Sequence, residues 1–337
     1  MAFKNLDITK SNKKLLVIDG TNTFIRAMSV SKITNDNNVP IGGFSGFLMS
    51  MGYAIKLIKP TKCIIVFDGQ YGSEKRKALF EGYKAKRKLK RKAARNPIYG
   101  SVENEDKAMK FQMSRLQKYL DNLPVTTVIV NNIEADDVIS YIVDKYTDYQ
   151  NYIMSTDQDF LQKINDHVLV YSPKKKIIFD RKKMLETFDI IPENFIFLKC
   201  FDGDESDEIP GVKGVGLITL QNRLPVIFGN EQINMNDIFD YLKTIPDEIK
   251  KYKVLQKINE SRNTLELNYK LMILNNSLIN EQDKLEIEKQ LNIKTPFLNR
   301  LKILQLIMVD NVNAIIRNPT NWIDAVFTQL ATHSVFK

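Results

Sequence analysis

Cysteine and histidine are nearly missing from this chain. Of its 337 residues, two are cysteine (Cys63 and Cys200) and two are histidine (His167 and His333). These four are too far apart for zinc-ligand spacing, which excludes a structural zinc module. Each cysteine lies in an apolar stretch, as a buried thiol does in a reducing, cytoplasmic compartment, and a disulfide framework is excluded. No apolar run approaches the length of a membrane span. The segment from Met1 to Lys14 is polar and lacks the apolar core of a secretory signal. There is no internal repeat. Basic excess is also scarce outside one place: Glu74 to Lys92 holds ten basic and two acidic residues, +8 of the net +9. So concentrated a patch suits a polyanion such as nucleic acid, although a run of this kind also fits a solvated helix face.

What is present is a regular alternation. Short β-branched runs at Leu15–Ile18, Cys63–Phe67, Thr126–Val130, Tyr152–Met154, Val168–Tyr171 and Ile177–Phe179 read as strands. Phe44–Ile58 and Ala135–Tyr146 have helical length and periodicity. Strands alternating with helices predict an α/β fold with a mostly parallel central sheet and helices on both faces. Two segments depart from this plan. Residues 74–110 are helical in pattern, broken at Asn96, Pro97 and Gly100, and too charged to cover a sheet; they predict a projecting element. Beyond Cys200 no strand is evident, and a helical region is expected with breaks at Pro225, Gly229, Pro246 and Pro296. This divides the chain into a 1–200 core and a 201–337 helical region. Asn35–Asn38 reads as a surface loop.

Acidic residues fall at telling places. Asp19, Asp68 and Asp157 directly follow strands, and the strand C-termini of an open parallel sheet form the ligand-binding edge. Asp159 follows two residues later, and Glu134, Asp136 and Asp137 open the helix after the third strand, where negative charge is tolerated. Asp204 and Asp207 are spaced i, i+3, on one face if that segment is helical. Taken singly, an aspartate after a strand is more often a helix cap or loop residue. Nine such carboxylates on one edge would repel and raise one another's pKa unless neutralised. Hard divalent cations do this, and all-oxygen ligands favour Mg²⁺ or Mn²⁺. Two ions roughly 3.5–4 Å apart activate a water and stabilise the leaving oxygen of a phosphodiester. No histidine base is evident.

Six pieces carry a family resemblance: VIDGTNTFIRA at 17–27, VFDG at 66–69, YKAKR at 83–87, IEADDVIS at 133–140, STDQDF at 155–160 and GDESDEIPGVKGVG at 203–216. In this order the chain resembles, over about residues 14–225, the flap endonucleases or 5′–3′ exonucleases. These include the nuclease domain of bacterial DNA polymerase I and stand-alone phage enzymes, some named RNase H. The resemblance implies a PIN-like core with a basic helical arch (about 74–110) and a helix–turn–helix duplex clamp (about 202–225). It assigns Asp19, Asp68, Glu134, Asp136, Asp137, Asp157 and Asp159 to the catalytic metal pocket, and Asp204 and Asp207 to a second metal. Arg26 would contact phosphate. Tyr83, Lys84, Lys86 and Arg87 belong to the arch, with Lys84 and Arg87 near the scissile phosphate and Tyr83 able to stack on a base. Gly211, Val212, Lys213, Gly214, Val215 and Gly216 would grip duplex DNA, with K⁺ bound there. Glycines letting backbone N–H groups approach a phosphate, ahead of a helix N-terminus, favour the same role. Glu208 departs from the family, which usually has Asn there.

The implied activity is Mg²⁺-dependent cleavage of DNA at a 5′ flap, nick or free 5′ end, or of RNA in an RNA–DNA hybrid, by a monomer. Composition rich in Asn and Lys suits a phage-encoded chain acting in host cytoplasm. Candidate protein partners are a sliding clamp or a single-strand-binding protein. Gln329–Phe336 partly matches a clamp-binding peptide, but Thr332 stands where its central apolar anchor belongs, which favours ordinary terminal packing. The alternative is a non-catalytic branched-DNA-binding protein of the same fold, and against it all nine positions remain acidic. A PIN-like ribonuclease would lack the glycine-rich clamp. An aspartyl-phosphate enzyme would need Asp where Thr21 stands.

Overall fold

The computed structural model describes residues 13–85, 94–250 and 252–335. Lys86 and Arg87 fall outside these residues. All six expected strands form: β1 Lys14–Asp19, β2 Lys62–Asp68, β3 Thr126–Val130, β4 Gln150–Met154, β5 Val168–Ser172 and β6 Ile177–Phe179. They lie in the order β3-β2-β1-β4-β5-β6, parallel except for the antiparallel edge strand β6. The chain steps outward from β1 through β2 to β3, then crosses to β4 on the other side. The topological switch point therefore lies between β1 and β4, where such sheets open a crevice at their strand C-termini.

Strand residues alternate between two cores. Leu15, Val17, Ile64, Val66, Val128 and Ile153 face one side; Leu16, Ile18, Cys63, Ile65, Phe67 and Met154 face the other. Burial on both faces explains why the strands read as continuous apolar runs. Helices α1 (Gly20–Val30), α2 (Gly42–Ile58), α3 (Glu74–Leu79), α4 (Val102–Leu120), α5 (Ala135–Lys145), α6 (Arg181–Phe188) and α7 (Phe195–Asp202) follow in turn. Then come α8 (Leu217–Arg223), α9 (Met235–Thr244), α10 (Asp247–Lys250), α11 (Lys253–Glu260), α12 (Arg262–Met272), α13 (Glu281–Leu291), α14 (Arg300–Asp310) and α15 (Pro319–Val335).

Several expectations change here. The end of the segment expected to project over 74–110 is packed instead: Tyr99 and Glu105 are buried, and Ala108 and Met109 lie against the core of α1 and α2. Hydrophobic packing does not part at residue 200. Helices α12 and α13 share the core of α5, while α14 and α15 share the core of α2. The region after Cys200 is not purely helical, because Gly203–Asp204 and Ile209–Pro210 pair as a two-stranded antiparallel hairpin, β7–β8. Gln329–Val335 lies within α15 and Leu330 is buried, so that segment serves packing; Phe336 lies outside the described residues.

The outer strand β3 has a side-chain neighbour where another strand would pair. The amide of Gln290, on α13, accepts from the Ile129 N–H at 2.8 Å and donates to the Ile129 carbonyl at 2.7 Å. One residue thus satisfies both groups of a strand backbone.

Candidate active site

Asp19 ends β1 and caps α1. Its carboxylate accepts from the Asn22 N–H at 3.0 Å and from the Ser155 hydroxyl at 2.8 Å, across the switch point. Gly20 makes this entry possible, since a Cβ there would lie 2.7 Å from the Phe67 ring and 2.8 Å from the Val66 carbonyl. The other side of the crevice is tied in by Asn22 Oδ1, which accepts from the Thr156 N–H and hydroxyl at 3.2 and 2.7 Å. Ser155 Oγ in turn accepts from the Asp157 N–H, and Asp157 Oδ1 from the Asp159 N–H. On the neighbouring strand, the Asp68 N–H donates to Thr21 Oγ1 at 2.9 Å, and Asp68 Oδ1 accepts from Ala135 N–H at 3.0 Å, which fixes the start of α5. Thr21, Asn22 and Ser155 are positioning residues that sequence reading did not single out.

The carboxylates brought together are Asp19, Asp68, Asp136, Asp157, Asp159, Glu134 and Asp204, each within electrostatic reach of at least one other. Burial is the chief cause that pushes Asp19 up to about 7; hydrogen bonds from Asn22 and Ser155 oppose it, and Asp68 and Asp157 add to it. Burial likewise lifts Asp159 to about 7, with Asp157 adding and Lys199 opposing. Asp136 is raised well above the usual carboxylate range, first by burial and then by Asp157, Asp19, Glu134 and Asp68. Its carboxylate has neither hydrogen bond nor ion pair among the described residues. Its four acidic neighbours outweigh Lys84, a cation within electrostatic reach that Glu134 already holds, and such an excess of oxygen donors suits a hard divalent ion. As the side chains stand, no three acidic, histidine or cysteine groups among the described residues are close enough together to hold a metal ion, so an ion would have to draw them in.

Asp137, also expected in the metal pocket, is placed elsewhere. Arg76 grips both of its oxygens, at 2.5 and 3.0 Å, and reaches Glu134 at 2.9 Å and the Leu271 carbonyl at 2.8 Å. Both Arg76 and Asp137 are buried. Adjacent positions on a helix point about 100° apart, so Asp136 faces the acidic rim while Asp137 faces α12. Asp137 therefore secures the base of the arch. Glu134 serves both sides: besides Arg76 it accepts from the Tyr83 hydroxyl at 2.8 Å and pairs with Lys84 at 2.5 Å. Burial works to raise its pKa, but Lys84 and Arg76 prevail and hold it below the usual range.

Tyr83 is 2% exposed and its hydroxyl bonds both Glu134 and Asp207. It is a buried strut, not a stacking platform. Lys84 has a left-handed backbone (φ 54°), and its N–H donates to the Asp207 carbonyl at 3.0 Å, pinning the arch base to the β7–β8 hairpin. In that hairpin Asp204 Oδ1 accepts from Ser206 N–H, Ser206 Oγ and Asp207 N–H. Asp204 and Asp207 thus converge through a turn, not a helix face. Lys199, which sequence reading missed, pairs with Asp159 at 3.0 Å and lies 3.8 Å from Asp204.

The basic run is more balanced than its composition implies. Lys75 pairs with Asp283, Arg76 with Asp137 and Glu134, Lys77 with Glu74, and Lys84 with Glu134. The run's other six basic residues lie outside the described residues. Arg26 is half-buried, donates to Ser50 Oγ at 3.3 Å, and has no carboxylate partner among the described residues. Residues 211–216 run along the surface into α8; Gly214 is left-handed (φ 84°) with open space beside it, and Lys213 is exposed, while Val212 and Val215 are buried anchors.

A family model described as "5′-3′ exonuclease, N-terminal resolvase-like domain" matches residues 14–189. The chain belongs to the 5′–3′ exonuclease family. A 5′–3′ exonuclease of Aquifex aeolicus is 26% identical over 96% of this chain and 100% of its own length. The Bacillus subtilis 5′–3′ exonuclease is 29% identical over 61% of this chain and 68% of its own. DNA polymerase I of Caldicellulosiruptor bescii is 27% identical over 89% of this chain but only 35% of its own length. Among solved structures, the T5 D15 protein co-crystallised with metal ions superposes with a TM-score of 0.65 at 24% identity, covering 83% of this chain and 99% of that one. Human GEN1 in complex with Holliday junction DNA superposes at 0.54 with 12% identity, over 95% and 72%. These two likenesses concern the fold. No helix among the described residues is long and apolar enough to cross a membrane.

Proposed function

We propose that this member of the 5′–3′ exonuclease family is a structure-specific nuclease that hydrolyses DNA phosphodiester bonds near 5′ ends and flaps. RNA primers in RNA–DNA hybrids fall within the same reach. The observation that carries this reading is Asp136, a carboxylate with neither hydrogen bond nor ion pair among the described residues, set among Asp19, Asp68, Glu134 and Asp157 beside the switch point of a parallel sheet. Asp19, Asp68, Asp136 and Asp157 would hold one Mg²⁺, with Glu134 at its margin; Asp159, Asp204 and Asp207 would hold a second, and Mn²⁺ suits the same oxygens. Bound there, such ions supply a hydroxide nucleophile at neutral pH and stabilise the leaving oxygen.

The chain's own groups bind and orient the DNA. Lys84, and Arg87 outside the described residues, present positive charge to the scissile phosphate. Arg26, with no acidic partner among the described residues, contacts a neighbouring phosphate. Backbone N–H groups of residues 211–216 and the N-terminal turn of α8 hold duplex backbone. Potassium at that loop belongs to the same proposal and is tested by exchanging K⁺ for Li⁺ in duplex-binding assays. A T5 D15 flap endonuclease variant in complex with DNA and metal ions shares the fold, with a TM-score of 0.60 at 20% identity over 89% of this chain and 100% of its own, which is in keeping with this reading.

The deciding experiment offers labelled 5′-flap, nicked and RNA–DNA hybrid substrates with Mg²⁺ and then with EDTA. Cleavage near the flap junction that stops on chelation is expected. Intact flap with Mg²⁺ present, alongside tight binding, would leave a DNA-binding protein without catalysis.

A further inference from the structure

Two ammonium groups bridge the acidic rim in the same manner. Lys84 Nζ lies 2.5 Å from Glu134 and 3.5 Å from Asp207. Lys199 Nζ lies 3.0 Å from Asp159 and 3.8 Å from Asp204. In each bridge one carboxylate belongs to the sheet rim and the other to the β7–β8 hairpin. Both lysines are largely withdrawn from water, with side chains 17% and 14% exposed. Withdrawing an ammonium or a carboxylate from water is costly unless each finds an opposite charge, so these groups neutralise one another in pairs. Lys199 comes from a helix that is apolar but for it and the terminal Asp202, and lies between the buried Leu198 and Cys200. Lys84 is held at its place by a left-handed backbone bonded to the same hairpin. The carboxylates left outside these bridges, Asp19, Asp68, Asp136 and Asp157, are those on the β1, β2 and β4 side of the crevice.

We propose that Lys84 and Lys199 are resident counter-cations, which a divalent ion must displace to reach Glu134, Asp159, Asp204 and Asp207. This rests on the metal-dependent reading above. An ammonium and a divalent ion compete for the same oxygen lone pairs, and burial makes the competition stronger than it would be in water. A displaced ammonium stays tethered at the rim and turns its charge to the incoming phosphate. Ion entry and phosphate capture are then linked through the same two side chains. The opposing view makes the lysines a clasp that holds the carboxylates in place for the ion. The two views predict opposite signs when the ammonium is removed.

The test is Mn²⁺ binding to the full chain without DNA, read from the free-ion signal in electron paramagnetic resonance. Lys84→Met, Lys199→Met and the double variant keep the side-chain stem and remove the charge. Each single variant is expected to bind Mn²⁺ severalfold more tightly than wild type, and the double variant roughly tenfold or more. Affinity that stays the same or falls overturns the proposal. Thermal unfolding is followed for every variant, and Lys84→Gln or Lys199→Gln replaces any that melts near the assay temperature, judged by the same sign. Wild-type flap cleavage with Mg²⁺ is run in parallel. A wild type that binds and cleaves while its variants bind no tighter overturns the counter-cation role alone. A wild type that neither binds Mn²⁺ nor cleaves removes the metal-dependent reading and this proposal with it.

Discussion

The two ends of the six-stranded sheet carry opposite charge and treat it differently. At the strand N-termini stand Lys14 and Lys62. Lys14 Nζ donates to the Ile58 carbonyl at 3.2 Å; Lys62 Nζ donates to the Tyr146 hydroxyl at 2.8 Å and lies 4.7 Å from the centre of that ring. Each ammonium donates to a neutral oxygen beside it. At the strand C-termini, Asp19 and Asp68 are fixed by hydrogen bonds, but Asp136 is left mostly among like charges, with neither hydrogen bond nor ion pair among the described residues. A sheet that needed only stability would not concentrate acids at one end. The proposed chemistry is assigned to this end, and the opposite end serves as its internal control.

Substitution at the acidic end has the largest expected effect. Asp68→Ala or Asp157→Ala should reduce single-turnover flap cleavage by about a thousandfold or more, as loss of a metal ligand implies. Cleavage within about tenfold of wild type would break the contrast between the two ends. Arg76→Met comes next, through stability. It leaves Glu134 and Asp137 buried without their guanidinium, at a cost of about 3–5 kcal/mol in urea unfolding; a loss below about 1 kcal/mol would show that water replaces the guanidinium.

Lys84→Met should slow single-turnover cleavage about a hundredfold while DNA affinity changes far less. Equal rates would remove Lys84 from the chemistry. The pH dependence of stability is a smaller effect with a definite sign. Asp19 and Asp159 have folded pKa values near 7, above those of the unfolded chain. Between about pH 4 and 7 the folded state then binds more protons than the unfolded one, so these groups make the metal-free protein lose stability as pH rises. A Tm that falls by several degrees from pH 5 to pH 8 is expected, with a shallower slope in Asp19→Asn and Asp159→Asn. An identical slope in those variants would refute the assignment. Lys62→Met, at the opposite end, should change neither cleavage nor stability by more than about 1 kcal/mol.

The strands were legible because residues buried on both faces of a parallel sheet must be apolar at every position, and β-branched runs advertise that. The clustering of acids followed from topology, since Asp19, Asp68 and Asp157 each end or follow a parallel strand. What stayed hidden depended on direction and partnership. Asp136 and Asp137 look equivalent in IEADDVIS; only the turn of the helix sends one to the rim and the other to Arg76. Arg76 itself was lost in a basic run, although its burial against α5 and α12 makes it unlike its neighbours. Tyr83 read as a surface aromatic because its two acidic partners lie 51 and 124 residues away. The β7–β8 hairpin, at two residues per strand, is too short for any periodicity to report. Lys199 left the faintest mark, a single lysine in an apolar helix, which usually signals a side chain reaching out to water.

The Gln290 amide that bonds Ile129 bears on behaviour at high concentration. An outermost strand with free N–H and C=O groups is a template onto which a second molecule can add its own strand. Ile129 is 43% exposed, so this one would also present apolar surface. Gln290 occupies the backbone sites that such an intruder needs, and α13 stands in its path. One glutamine thereby covers the backbone groups through which neighbouring copies of the nuclease would zip together edge to edge.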